Sequence, residues 1–287
     1  MDAQFAYSAC EKVSKDVYMG NVLSLVNSKA FIARMKLEQI EQNTFAEVVA
    51  IDKQVDDGPR PLVSLIIPAL NEESSIKHVI NAIPRGSVSE IIVVDNGSTD
   101  RTADIAWDCG ARVISQRERG YGAACLSGIA EISPGCGIVA FVDADFSDFP
   151  EDLEKLLQPL YEDKADMVIG TRTMTSESRA ALTPQQRYGN WLATTLVKAF
   201  FGHKYTDLGP FRAIRRDALE QLGMIDRNYG WTIEMQIKAA RQKLRIAEVP
   251  VRYRIRIGRS KISGTVKGTI LAGSKIIYTI FKYVVKR

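Results

Sequence analysis

The chain has few of the residues that staple or metallate small proteins: among its 287 residues are four cysteines (Cys10, Cys109, Cys125, Cys136) and two histidines (His78, His203). No two cysteines form a CxxC pair, so neither a zinc ribbon nor a disulfide framework is expected, and reduced thiols in a cytosolic setting suit the spacing. Two histidines so far apart argue against histidine metal chemistry. No run of 18 uncharged apolar residues occurs; the best, residues 276–285, is ten long and contains Lys282. The opening MDAQFAYSAC lacks the basic start and apolar core of a secretory signal. The expectation is a cytoplasmic protein that does not span a membrane, with a peripheral position on the cytoplasmic face left open.

What is present is globular composition, 46% apolar and 25% charged, with ample length for a large core. The formal charge of +4 hides a division. Residues 241–287 hold 13 of the 38 Lys/Arg and one of the 34 acids (Glu248), a local +12 against −8 for residues 1–240. A mildly acidic body carries a basic tail.

Three segments are expected. Residues 1–60 read as a helical extension, with Phe31, Ile32, Met35, Leu37 and Ile40 near helical spacing and a turn at DDGPRP. It suggests packing or homo-oligomerisation and no catalysis. From residue 61 strands and helices alternate: strands at 62–67, 90–94, 112–115 and 137–142, helices at 73–82, 99–109 and 121–132. Continuous apolar strands separated by helices predict an α/β domain over 61–263 with a mostly parallel sheet covered on both faces. Residues 264–287 predict a basic amphipathic helix.

In such sheets ligands bind beyond the carboxyl ends of the strands. Three polar clusters stand there: PALNEE (68–73), DNGSTD (95–100) and Asp143-Ala144-Asp145. Asp143 and Asp145, one residue apart, present hard oxygen ligands suited to Mg²⁺ or Mn²⁺ shared with substrate phosphates; the plainer reading is a turn with a helix cap. Asp95 either holds a nucleobase or ribose or shapes the Asn96-Gly97 turn, with Ser98 or Thr99 capping the next helix. No GxGxxG follows the first strand and no GxxxxGK[ST] occurs, which disfavours a dehydrogenase and a P-loop kinase.

The order PALNEE, VVDNGSTD, RERGYGAAC, FVDADFSDFPEDL resembles family 2 glycosyltransferases of GT-A fold over residues 63–263. Within them it is most similar to polyprenyl-phosphate (dolichyl-phosphate) hexose synthases, which share segments like Gly120 to Ala124, Gly170-Thr171-Arg172, Phe211-Arg212-Ala213 and Gly258-Arg259-Ser260-Lys261. The resemblance implies a nucleotide-sugar half (61–165) and an acceptor half (166–263). It places Asp143 and Asp145 on the metal, Asp145 as catalytic, and Pro68, Ala69, Asn71, Glu72, Asp95, Gly122 and Ala144 around the nucleotide sugar. Arg172 and Arg212 would contact the acceptor phosphate, and Ser260 and Lys261 would close on the diphosphate. The implied donor is a UDP- or GDP-hexose, the acceptor a polyprenyl phosphate or, alternatively, a soluble or glycan acceptor. A noncatalytic nucleotide-sugar-binding protein is the reading of another class.

Two positions depart from the pattern. Ile255 stands where the family often has arginine, flanked by Arg254 and Arg256. Where soluble-acceptor relatives carry an ED base pair, Trp231 and Thr232 stand, with Glu234 shortly after. A sugar hydroxyl needs a general base, whereas a phosphate is already anionic and needs cations to hold it against the diphosphate. The missing base favours a phosphate acceptor. The plainer readings are surface ion pairs for Arg172 and Arg212, an i,i+4 pair with Lys238 for Glu234, a core position for Trp231 and a solvated loop for His203.

Residues 251–261 (VRYRIRIGRSK) alternate in a strand-like period of two, placing Arg252, Arg254 and Arg256 on one face. No RNA-binding signature accompanies the row, so nucleic acid is not an expected partner. Beyond it, Val266, Ile270, Ile277, Phe281 and Val284 form a stripe that either packs on the domain or rests on an anionic bilayer.

Overall fold

The computed structural model describes residues 60–258 and 266–285. The helical extension and its suggested role in oligomerisation, along with Ser260 and Lys261, lie outside the described residues. The chain runs β1 (Leu62–Ala69), α1 (Ile76–Asn81), β2 (Glu90–Asp95), α2 (Thr102–Asp108), β3 (Arg112–Ser115), α3 (Tyr121–Ala130) and β4 (Cys136–Phe141). It continues through α4 (Leu153–Tyr161), β5 (Met167–Thr171), α5 (Ser176–Ala181), α6 (Pro184–Phe201), β6 (Arg212–Arg215), α7 (Arg216–Leu222), α8 (Trp231–Arg241), β7 (Ile246–Pro250) and α9 (Val266–Val285).

The strands form one sheet in the order β3-β2-β1-β4-β6-β5-β7. Every adjacent pair is parallel except those made by β6, which runs against both β4 and β5. The mostly parallel α/β sheet expected from the sequence is therefore present. Its central strands are apolar throughout because both faces are covered: Ile66, Ile92, Val94, Val139 and Phe141 join one core, and Leu65, Ile67, Val93, Ile138 and Ala140 the other. The two-residue alternation sends successive side chains to opposite faces. Each fully buried Ile or Leu contributes about 1.5–3 kcal/mol, so the sheet centre is a rigid platform.

The first core is roofed by α3, α6, α8 and α9, the second by α1, α2 and α4. Trp231, 1% exposed, lies edge-on to Phe141 at 6.0 Å, so it fills the core. The Thr183 capping box with Gln186 starts α6, and Gly202 in the left-handed region ends it.

Two local expectations change. The helix expected from residue 99 begins at Thr102, and neither Ser98 nor Thr99 caps it. Both are spent on the neighbouring loop: Ser98 Oγ accepts the Asn71 N–H at 2.9 Å, and the Thr99 N–H donates to Asn71 Oδ1 at 2.7 Å. Residues 251–258 form no strand, only a single bridge between Tyr253 and Asp148. The segment lies along residues 145–152, with the Arg254 N–H donating to Ser147 O and the Ile257 N–H to Asp145 O, but its exposure does not alternate by two: Arg252 and Ile255 are exposed, while Tyr253, Arg254 and Arg256 are half-buried.

Candidate active site

The carboxyl ends of β1, β2 and β4 open on a cavity of about 310 Å³, within the range of small-molecule sites. Pro68, Ala69, Leu70 and Glu72 line it from β1 and its loop, and Asp143, Ala144 and Asp145 from the end of β4. Asn96, Arg119, Gly120, Tyr121 and Ala124 supply another wall, and Asn228, Tyr229 and Arg256 complete it.

Asn71 adopts a positive φ of 53°, an uncommon state for a residue with a side chain. The bonds to Ser98 and Thr99 hold it there and join the first two polar loops. Asp95 shapes its own turn, its Oδ1 accepting the Ser98 N–H at 3.0 Å. Asn96 carries the connection onward: its Nδ2 donates to the Gln116 and Glu118 carbonyls, and its Oδ1 accepts the Gly120 N–H at 2.8 Å. Neither Asn71, Asp95 nor Gly122 is on the cavity wall. Gly122 serves packing: a Cβ there would stand 2.0 Å from the Asp226 carbonyl oxygen.

Around the paired aspartates, Tyr121 Oη donates to Asp143 Oδ1 at 3.0 Å and the Ser147 N–H donates to Asp145 Oδ1 at 2.9 Å. Burial and then the neighbouring Asp145 charge push Asp143 up to about 7, the response of a carboxylate short of a cation. Asp145 Oδ2 already faces one, Arg256 Nη1 at 3.0 Å, while Arg256 Nη2 lies 2.7 Å from Glu72 Oε1. The guanidinium is a stand-in positive charge on this carboxylate wall, so the donor set suits a hard divalent ion completed by phosphate oxygens. Among the described residues no group of three His, Cys, Asp or Glu side chains forms a self-sufficient metal cage.

Arg172 and Arg212 line no part of the cavity. Arg172 makes a two-point pair with Asp207, Nε to Oδ2 and Nη2 to Oδ1, both 2.8 Å, and sits 5.0 Å from the Tyr253 ring centroid. Burial opposes its charge, but Asp207 more than compensates and holds the guanidinium above its ordinary value. Arg212 departs from its expected direct contact with a ligand. It is 1% exposed, and its donors are spent on the Gly209 and Thr232 carbonyls. Glu234, fully buried, pairs with Lys238 at 2.9 Å and accepts from Tyr283 Oη at 2.6 Å, so the position near the missing base offers no free carboxylate. His203 lies against Tyr205, ring centroids 4.3 Å apart and planes tilted by 46°.

Sequence reasoning missed Asn96, Arg119, Tyr121, Asn228 and Tyr229 as wall residues. The RERGYG segment pointed towards Arg119 and Tyr121; nothing local marked Asn228 and Tyr229, which reach the wall from the loop before α8.

Residues 64–223 match the family model for glycosyl transferase family 2. An uncharacterized glycosyltransferase of Mycobacterium tuberculosis is 37% identical over 212 residues, covering 73% of this chain and 94% of that protein. A dolichyl-phosphate hexose transferase of Haloferax volcanii is 33% identical over 216 residues, covering 74% and 91%. Among solved structures, glucosyl-3-phosphoglycerate synthase from Mycobacterium tuberculosis, in complex with Mn²⁺, UDP and glucosyl-3-phosphoglycerate, aligns with a TM-score of 0.63 at 26% identity, covering 77% of this chain and 79% of that one. The fold and the cavity beyond the strand ends define a GT-A glycosyltransferase. The chain belongs to glycosyl transferase family 2, and it is an enzyme.

Proposed function

We propose that the protein transfers a hexose, with inversion at C1, from a UDP- or GDP-sugar to a polyprenyl phosphate. The observation that carries the donor half is the wall of Glu72, Asp143 and Asp145 at the strand ends, with one guanidinium between two of its carboxylates. Asp143 and Asp145 would hold Mg²⁺ or Mn²⁺ with the diphosphate, and the ion would neutralise charge on the departing nucleoside diphosphate. The solved neighbour with UDP and Mn²⁺ supports this donor chemistry and favours uridine. Pro68, Ala69, Glu72 and Ala144 are assigned to the nucleotide sugar directly, Asn71 and Asp95 to the loops that frame it, Gly122 to the backing of that wall, and Ser260 and Lys261 to the diphosphate.

In the reaction, an acceptor phosphate oxygen attacks C1, and the bond from C1 to the diphosphate oxygen breaks with its electron pair leaving on the diphosphate. No proton need be removed, consistent with Glu234 being spent on structural partners. Arg172 is assigned to the approach of the acceptor phosphate, its Asp207 pair fixing the guanidinium plane. The named relative that uses a dolichyl phosphate supports the lipid acceptor.

The lipid must reach the site from a membrane surface. Among the described residues no helix is long and apolar enough to cross one. The face of α9 turned to the body buries Ile280 and Tyr283, while Ile270, Leu271, Tyr278, Phe281 and Val285 stay exposed. Phe281 meets Phe200 of α6 at 5.7 Å, and α6 also exposes Tyr188 and Trp191. We assign the exposed face of α9 to peripheral contact with an anionic bilayer, where aromatic rings partition readily.

The alternative acceptor is a soluble phosphorylated acid, since the solved neighbour was crystallised with glucosyl-3-phosphoglycerate. Transfer of labelled hexose from UDP-glucose or GDP-mannose, with Mn²⁺, to a short polyprenyl phosphate in detergent or to 3-phosphoglycerate separates the two. Label in the organic phase supports the lipid acceptor; label only in the aqueous phase rejects it.

A further inference from the structure

The loop of residues 225–230 joins α7 to α8 and supplies Asn228 and Tyr229 to the cavity wall. One side of it is pressed against the start of α3. The Ala123 N–H donates to the Arg227 carbonyl at 2.9 Å, and a Cβ on Gly120 would stand 2.1 Å from that same oxygen. Only glycine permits this approach.

On the other side two buried carboxylates set the loop's shape. Asp226 Oδ1 accepts the N–H groups of Asn228 at 2.8 Å and Gly230 at 3.1 Å. Glu234 Oε2 accepts those of Ile225 at 3.2 Å and Asp226 at 2.7 Å. Both carboxylates are also held from α9: Lys275 Nζ lies 3.0 Å from Asp226 Oδ2, and Tyr283 Oη donates to Glu234 Oε1 at 2.6 Å. Lys238 reaches Glu234 from within α8 at 2.9 Å. Between them α9 touches the loop's end, where a Cβ on Gly230 would meet Thr279 Oγ1 at 2.6 Å. Neither Lys275 nor Tyr283 lines the cavity.

We propose that Lys275 and Tyr283 are positioning residues for the cavity: acting through Asp226 and Glu234, they fix the 225–230 loop, so that docking of α9 and occupation of the cavity are one linked equilibrium. The coupling runs both ways by thermodynamic necessity. A ligand bound against Asn228 and Tyr229 tightens α9 on the body, and loosening α9 weakens the ligand. Any surface that holds α9 in its docked position then favours the binding-competent loop.

The test is hydrogen–deuterium exchange on the full chain, comparing wild type with Lys275→Met, Lys275→Arg and Tyr283→Phe, alongside calorimetric binding of UDP with Mn²⁺. Exchange across 225–230 is expected to rise by about tenfold in Lys275→Met and Tyr283→Phe while β1 and β4 stay protected, as for local opening. UDP affinity should fall about fivefold in both, a coupling of ordinary size. Lys275→Arg should restore both readouts, and UDP with Mn²⁺ should slow exchange across 275–283 in wild type. Wild-type loop exchange in both variants overturns the proposal, as does a rise spread evenly over β1 and β4. Should wild type bind neither UDP nor GDP with Mn²⁺, the donor reading fails while the loop exchange still decides the clamp. Tyr283→Phe removes a single hydroxyl and keeps the question answerable if Lys275→Met does not fold.

Discussion

Arg256 bridges two carboxylates from different strand-end loops, its Nη1 3.0 Å from Asp145 Oδ2 and its Nη2 2.7 Å from Glu72 Oε1. Glu72 follows β1, Asp145 follows β4, and Arg256 belongs to the extended segment after β7. The bridge places a fixed positive charge where the proposed cation and diphosphate would meet, and it competes with any metal arriving without nucleotide. Charge-assisted bonds of this kind contribute about 1.5–3 kcal/mol.

Arg256→Met is therefore expected to bind Mn²⁺ alone about tenfold more tightly than wild type, a factor of ten corresponding to roughly 1.4 kcal/mol. Transfer by the same variant should fall, because the diphosphate loses a cation. Calorimetric titration with Mn²⁺ in the absence of nucleotide checks the first statement; unchanged or weaker metal affinity contradicts it.

Asp148 is 1% exposed, and among the described residues neither of its carboxyl oxygens has a hydrogen-bond partner. Burial, and then the charge of Asp143, raise it well above the ordinary value of 3.8. A carboxyl raised in the folded state binds more protons folded than unfolded, so stability falls as pH climbs through the window above the unfolded value. Asp143, raised to about 7, adds to the same slope between about pH 4 and 7. Asp148→Asn should melt higher than wild type at pH 8, with the gap closing towards pH 4. Thermal melts across that range in the absence of added metal test it, and a gap that widens on acidification would contradict the account.

The Arg172–Asp207 pair is buried on both sides, with side chains 11% and 0% exposed. Removing one partner of such a pair strands the other charge, at a cost of about 3–5 kcal/mol. Asp207→Asn should lower the midpoint of urea unfolding accordingly. A midpoint within error of wild type would mean that the pair contributes nothing net.

Leu271 is 50% exposed and Tyr278 61% exposed, seven residues apart on the outer face of α9 assigned to lipid. Replacing both with Glu should leave the melting temperature nearly unchanged, since substitutions at exposed sites usually stay within about 0.5 kcal/mol. Flotation with anionic liposomes should drop sharply. Equal flotation of variant and wild type would reject the membrane role.

The sheet was largely legible because its central strands are continuous apolar runs, each flanked by a turn, and the clusters after β1 and β4 do meet at the cavity. Other features depended on partners far away in the chain. Ser98 and Thr99 carry the chemistry of helix caps, yet Asn71, 27 and 28 positions earlier, claims them. Arg256 meets Glu72 across 184 positions, a closeness no local spacing encodes. Arg212 sits in the expected segment, but its guanidinium is spent on the Gly209 carbonyl and, 20 positions on, the Thr232 carbonyl. Asn228 and Tyr229 belong to a loop that contacts α9 through Lys275 and lies against Gly120 and Gly122 at the start of α3.

The central claim is that Asp143 and Asp145 make this cavity a metal-dependent site of sugar transfer. The most direct measurement is transfer of labelled hexose from the nucleotide sugar to polyprenyl phosphate, with and without Mn²⁺, in wild type and Asp145→Ala. The expected result is Mn²⁺-dependent transfer by wild type and a loss of about a hundredfold or more in the variant, on the scale of removing one electrostatic stabiliser of a transition state. Near-normal, metal-dependent turnover by Asp145→Ala would contradict it.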